Sequence, residues 1–424
     1  MSGTPPRRGA GLVLTAALLG WMFDGFEMGL FPLVARPALR DLLGADVTEA
    51  EISRWFALAT AAFLIGAATG GVVFGWLGDR LGRVRAMTIS VLTYALFSGL
   101  CGLATDPWQL GVLRFVAALG MGGEWALGVA LVMEIWPDSA RTWLAGCIGA
   151  AGNLGYVFVA LLALSLNQVT EPLRQLLLTL GADPEKWLAG NGWRVLLLLG
   201  ALPAVLTLLI RLFVPESHKW EQEQAKGTTQ HWATADLLGV VIGAISALGF
   251  VVLWLSKDVG FGVQAVVSVP LLIITTVGYL YPVSRFLRRA APQEYGRTVQ
   301  RLFLGAALSG VPLIVTWSAV MWAYSWVSTL TDDPNARPYA QLASASGAVV
   351  GSFFGAILGN RLSRRATYRW LCGASFVTAL IFFLTNSSFN NWFLLTCGAT
   401  GLVTAAFYGW LPLYLPELFR TAVR

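Results

Sequence analysis

Residues 75–83 read Gly75-Trp76-Leu77-Gly78-Asp79-Arg80-Leu81-Gly82-Arg83, a short charged stretch between two long apolar runs. A near copy, Gly359-Asn360-Arg361-Leu362-Ser363-Arg364, lies 281 residues later, and four of six positions match Gly78–Arg83. Gly70 and Leu77 also match Gly351 and Leu358 upstream. A second echo pairs Glu134, Pro137 and Arg141 with Glu417, Arg420 and Arg424, at offsets of 283 for both Glu134/Glu417 and Arg141/Arg424. Two echoes at nearly one offset point to a parallel repeat, the two-half plan of many transporters.

The composition supplies the solvent. Of 424 residues, 56% are hydrophobic and only 12% charged, against about 25% charged in soluble domains. Crossing about 30 Å of hydrocarbon takes roughly 20 apolar residues. Twelve runs qualify: 11–36, 55–78, 86–104, 109–136, 142–166, 194–214, 236–256, 260–284, 302–329, 341–360, 368–386 and 392–415. They are continuous rather than alternating, which excludes a barrel and predicts an all-α polytopic membrane protein. The first run begins near Leu12, is too long for a signal-peptide core and contains acids, so no cleaved leader is expected. Placing the N-terminus in the cytoplasm leaves 19 basic residues in inside loops against 8 outside, with Arg114 and Arg211 within spans. That bias predicts both termini on the cytoplasmic side of the cell membrane. It also accounts for the net charge of +6 without a nucleic-acid partner. Cys101, Cys147, Cys372 and Cys397 all fall in apolar runs, where free thiols are expected rather than disulfides or a metal site.

The repeat divides the chain into an N-terminal six-helix bundle (1–215), a cytoplasmic linker (216–235), an inserted two-helix hairpin with a basic loop (236–300) and a C-terminal bundle (301–424). Two spans follow Arg141 in the first half, so two are expected beyond Arg424. The sequence is then a C-terminally truncated form of a fourteen-span protein; the alternative is a natural ten-helix core carrying an inserted hairpin. The hairpin is expected to pack outside the core. In the outside loop 167–193, Glu171–Leu180 reads as a short amphipathic helix that Gly181 and Asp183-Pro184 would end.

The motif at 75–83 resembles the signature loop of the major facilitator superfamily, G-x-x-x-D-R-x-G-R, placed where that family has it. Arg114 with Gly120, Gly122 and Gly123, then Glu134, Pro137 and Arg141, resemble the family's fourth-helix and following-loop motifs. Val214-Pro-Glu-Ser217 and Leu415-Pro-Glu-Leu-Phe419 are similar to helix ends in sugar and organic-acid porters. Asp24-Gly-Phe-Glu27 and Gly122-Gly-Glu-Trp125 resemble organic-acid:proton symporters of the sialate and aromatic-acid groups. The resemblance implies a secondary transporter working by alternating access, a monomer, with a small organic anion as substrate and the proton gradient as energy source. No cofactor is implied. Sugar porters, uniport or antiport, and a non-transporting sensor or fragment remain alternatives. An enzyme is not expected, because the chain carries no H-E-x-x-H pair, P-loop or dinucleotide fingerprint.

The candidate residues follow. Asp24 and Glu27, three apart, share one face of the first helix. An acid at the bilayer centre must face a cavity or a partner. Desolvation raises a carboxyl pKa and a nearby cation lowers it, so a carboxyl balanced between them loads and releases protons. Glu124 is a third candidate, since no span contains a histidine. The resemblance implies that Arg114 pairs with Glu27; its planar fork also suits a substrate carboxylate. By resemblance, Asp79 latches the cytoplasmic side with Arg80 and Arg83, and Glu134, Arg141, Glu417 and Arg424 form a gate network. Glycines 75, 78 and 82 are expected to allow close helix approach and a tight turn. Gly146, Gly149, Gly152 and Gly155 form a stripe for close packing, with Asn153 beside it. Trp317, Trp322 and Tyr408 are cavity candidates, whereas Trp326, Trp410 and Tyr414 read as interfacial belt residues.

Overall fold

The computed structural model describes residues 10–44, 46–135, 140–203, 205, 234–290 and 292–419, which form helices and no strands. The long helices are α1 (Ala10–Leu43), α2 (Glu49–Leu81), α3 (Arg83–Leu100), α4 (Pro107–Ile135) and α5 (Arg141–Gln168). They are followed by α6 (Thr170–Thr179), α7 (Pro184–Leu199), α8 (Leu237–Leu255) and α9 (Phe261–Ala290). The chain continues through α10 (Tyr295–Val315), α11 (Met321–Trp326), α12 (Ala336–Arg361), α13 (Arg364–Thr385) and α14 (Asn391–Tyr414). Ten helices among the described residues are long and apolar enough to cross a membrane, and α4 adds another 29-residue apolar helix. The expected span 194–214 begins on α7 and runs into residues that are not described. Helix starts carry the residues that backbone chemistry asks for. Thr48 caps α2, Ser363 caps α13 and Asn390 caps α14, each side-chain oxygen accepting a first-turn N–H.

The repeat read from the sequence recurs in the packing. A Cβ added to Gly66 or Gly70 of α2 would collide with the carbonyls of Phe115 and Leu119 on α4. A Cβ on Gly347 or Gly351 of α12 would collide with those of Gly398 and Leu402 on α14. The same two contacts thus occur in each half, at the same offsets of 281 and 283 as the sequence echoes. Between the halves, α5 lies along α12.

The fifth-helix glycines are not one smooth stripe. A three-residue spacing drifts about 60° per step on a 3.6-residue helix, so the series turns from one neighbour to another. Gly155 meets Met22 and Phe26 of α1, whereas Gly146 meets Phe353 and Gly149 meets Ser352 of α12.

The hairpin α8–α9 lies against α2. The Tyr279 and Thr69 hydroxyls are 2.7 Å apart, and Val241, Ile245, Val266 and Ile273 are exposed on the outward faces. The short helix expected at Glu171–Leu180 is α6, and Gly181 follows it at φ +71°. Asp183 does not end that helix. It starts the next, its Oδ1 accepting the Glu185 N–H at 3.0 Å, with Pro184 at the first position.

Three expectations need correction. Span 302–329 is not one helix, because a π-helical turn at Thr316–Val320 separates α10 from α11. Arg194, one of the eight basic residues counted as outside, is buried, donating to the carbonyls of Ala104 (2.7 Å) and Gly102 (3.2 Å) and pairing with Asp41 at 3.2 Å. Trp410 is not a belt residue. Trp410 is buried against Tyr368 and Tyr414, and Trp326 packs among Phe382, Phe383 and Phe393. Hydropathy marks a tryptophan as apolar but does not say whether protein or lipid surrounds it.

Candidate functional site

Two charged groups meet inside the first bundle. Glu27 of α1 and Arg114 of α4 form an ion pair, with side chains 0% and 2% exposed. Ser98 of α3 donates to the same Glu27 oxygen, Oε1, at 2.9 Å. The Arg114 guanidinium lies over the rings of Phe31 and Phe63, its Cζ 4.4 Å from each centroid. Rings hold a guanidinium through their negative faces while excluding water. Glu27 Oε2 and Arg114 Nε keep no hydrogen-bond partner among the described residues, so the pair is buried without being saturated.

Asp24 and Glu27 share a face of α1 but serve different partners. Asp24, 4% exposed, interacts with Glu124 of α4, which also interacts with the Tyr94 hydroxyl of α3. Glu124 reaches so close to α1 that a Cβ on Gly20 would fall on its Oε1. None of the four carboxylate oxygens has a well-formed hydrogen bond among the described residues. Two adjacent buried carboxylates repel when both are charged, and a shared proton removes that repulsion. The arrangement is therefore chemically suited to holding one proton between α1 and α4.

A cavity opens beside Arg114 at the junction of the two halves. Its walls are Met28, Phe31, Pro32, Phe56, Thr60, Phe63 and Arg114 from the first half and Trp317, Met321 and Trp322 from the second. Trp322 packs edge-on against Phe56 at 5.1 Å, and Trp317 lies 5.9 Å from Phe63. In an α-helix, residues five apart are turned about 140° from one another. The π turn beginning at Thr316 bonds i to i+5 and so stacks Trp317 above Trp322, placing both on the cavity side. Thr60 Oγ1 is buried here without a hydrogen-bond partner among the described residues.

Asn153 and Tyr408 do not line this cavity. Asn153 Nδ2 donates to the Gly149 carbonyl at 2.8 Å and reaches Ser352 Oγ at 3.5 Å. Tyr408 donates its hydroxyl to Thr316 Oγ1 at 2.9 Å, at the base of the π turn. Asn153 thus serves the α5–α12 contact, and Tyr408 ties α14 to the π turn. Nearby Gln341, fully buried, donates to the Tyr156 carbonyl at 3.0 Å across the halves.

At the signature loop, Gly82 ends α2 and precedes α3 at φ +105°, a backbone state that a side chain would strain. Its N–H donates to the Gly78 carbonyl at 3.2 Å. Gly75, by contrast, approaches no described neighbour closely. Arg80 lies over Trp76 at 4.7 Å; Asp79 is in the last turn of α2 and Arg83 opens α3. In the second copy, Arg364 grips Glu417 with two bonds, 2.6 Å and 3.1 Å, and also donates to the Gly359 carbonyl. The side chains of Glu134 and Arg141, and the whole of Arg424, lie outside the described residues. Sequence reasoning missed Ser98, Tyr94, Thr60, Gln341 and Arg364. Only Arg364 left a signal, as the second-copy counterpart of Arg83.

A family model described as "Sugar (and other) transporter" matches residues 12–237. A putative metabolite transport protein of Haemophilus influenzae is 29% identical over 271 residues, 58% of this chain and 60% of that protein. A cis,cis-muconate transport protein of Acinetobacter baylyi is 31% identical over 215 residues, 50% of this chain and 45% of that protein. The chain thus spans about half the length of the curated relatives it matches. Among solved structures, the partially occluded inward-open xylose transporter XylE of Escherichia coli superposes with a TM-score of 0.65 at 16% identity. That match covers 97% of this chain and 88% of the other.

Proposed function

Because this chain belongs to the sugar (and other) transporter family of the major facilitator superfamily, a family of multi-pass membrane transporters, we propose that it serves proton-coupled uptake of a small organic carboxylate across the cytoplasmic membrane. The observation that carries this reading is a buried acid, Glu27, paired with the arginine that lines the cavity. Glu27 and Arg114 form one unit, and Asp24 with Glu124 forms another, between α1 and α4. Arg114 also lines the cavity.

The chemistry follows from exchange at Arg114. With Glu27 charged, its carboxylate occupies the guanidinium. Protonating Glu27 removes that partner, and a substrate carboxylate replaces it through the same planar fork. Proton and solute then bind together, which is the condition for symport. The rings of Phe31, Phe56, Phe63, Trp317 and Trp322 suit a flat, apolar body on the solute. The Acinetobacter relative is named for a carboxylate of that kind. The likeness to the xylose transporter speaks for the fold alone. Asp24 and Glu124 supply a second proton position next to the first, and the proton gradient supplies the energy. Alternating access would move α10–α14 against α1–α5 across the α5–α12 contact.

The test uses proteoliposomes and a radiolabelled aromatic monocarboxylate. An inside-alkaline gradient should drive accumulation by the unaltered protein. Asp24→Asn should lose accumulation yet still exchange solute in counterflow, which a sensor that binds without transporting would not do. Accumulation persisting in Glu27→Gln would show that Arg114 is not freed by protonation.

A further inference from the structure

A basic corner stands apart from the transport site, where α9 turns into α10. It carries Arg285, Arg288, Arg289, Arg297 and Arg301 against two acids, Asp236 and Glu294. Its depth can be read from the hairpin. Helix α8 is 19 residues long, about 28 Å at 1.5 Å per residue, just the hydrocarbon thickness. Asp236 immediately precedes it, is buried, and pairs with Arg289, with Arg285 at 3.9 Å. The corner therefore lies level with the lipid headgroups, on the side that the arginine bias assigns to the cytoplasm. Lipid-facing side chains adjoin it on both helices: Val277 and Tyr281 on α9, Phe303 and Leu304 on α10, all exposed.

Arg288 is also pre-positioned. Tyr295 shares a 2.8 Å hydrogen bond with Ser284, receives one from Arg288 at 3.3 Å, and lies under the Arg288 guanidinium at 4.8 Å. Arg285 lies 5.9 Å over Tyr281. Arg297 and Arg301, four residues apart, share one face of α10, are exposed, and form no ion pair among the described residues. A topology signal requires only charge in the loop. It does not require an arginine bonded to a tyrosine that ties two helices together.

We propose that this corner binds the phosphate of an anionic phospholipid in the cytoplasmic leaflet, through Arg288, Arg297 and Arg301. Guanidinium forks match phosphate oxygens in pairs, and basic pockets between spanning helices are known to take anionic headgroups. The site is independent of the transport reading.

The experiment is native mass spectrometry of the chain in micelles doped with phosphatidylglycerol or phosphatidylcholine. Phosphatidylglycerol should associate preferentially, and the preference should fall about fivefold for each arginine replaced in Arg288→Gln, Arg297→Gln and Arg301→Gln. Tyr295→Phe should weaken it without changing charge. A control triple, Arg361→Gln with Arg365→Gln and Arg369→Gln, should keep it. The proposal is overturned if the first triple retains the preference, or if the control triple loses it equally. It is overturned as well if millimolar inorganic phosphate strips the lipid, since the site would then serve a soluble anion. Should the triple variant not fold, Arg288→Gln and Tyr295→Phe each carry the same test.

Discussion

Replacing Glu27 by Gln, Arg114 by Gln, and both together, probes the ion pair at the centre of the site. Removing one member of a buried pair costs about 3–5 kcal/mol, because the other charge is left unpaired. The structure orders the singles within that range. In Glu27→Gln, Arg114 keeps its two flanking rings, so the cost should sit near the low end, about 3 kcal/mol. In Arg114→Gln, Glu27 keeps only the Ser98 hydroxyl, and the ring contacts are lost too, so the cost should approach about 5 kcal/mol. The double variant leaves no isolated charge and two amides able to bond each other, and should cost about 3 kcal/mol. The singles would sum to about 8 kcal/mol, giving a coupling near 5 kcal/mol. Unfolding in mixed micelles followed by tryptophan fluorescence reads all three. If the double variant is destabilised by the sum of the singles, the two charges do not act on one another and the proposed exchange at Arg114 loses its basis.

Further outcomes follow from other parts of the molecule. Glu124→Gln should flatten the dependence of solute uptake on outside pH while leaving counterflow intact, measured in the same vesicles. Trp322→Ala, which opens the wall facing Phe56, should weaken binding of an aromatic carboxylate roughly tenfold or more, read by equilibrium binding. Gly155→Leu should sharply lower the yield of folded protein in size-exclusion chromatography, because any side chain there strikes the α1 backbone. Tyr279→Phe should cost about 1 kcal/mol in micellar unfolding, from loss of the bond to Thr69.

The spans were legible because lipid demands long apolar runs whatever the helices pack against. The repeat was legible because Gly70 and Gly351 face carbonyls that recur at the same offset. The pairing of Glu27 with Arg114 came from a family resemblance, not from spacing. That Asp24 turns to Glu124 depends on how α1 rotates against α4, and no local pattern encodes that. Tyr94 reads as one more apolar-span aromatic until α3 closes over Glu124. Arg194 was misread since a charge near a span end is assigned by default to the loop, although its fork satisfies carbonyls at the bundle's edge. The π turn had no signature at all, and without it Trp317 and Trp322 would not face the same way.

The docking of the α8–α9 hairpin on α2 has a mechanical consequence. The hairpin looks like a long flexible tether between the halves, but Tyr279 moors it to the first bundle. The stretch joining the bundles is then short, residues 291–294, of which Pro292–Glu294 form a 3₁₀ turn. Tyr295 shortens it further by bonding back to Ser284. A rocking motion of the second bundle must turn about this corner, as a door turns about its hinge pin. The largest displacement is expected at the helix ends furthest from Tyr295, and the smallest beside it.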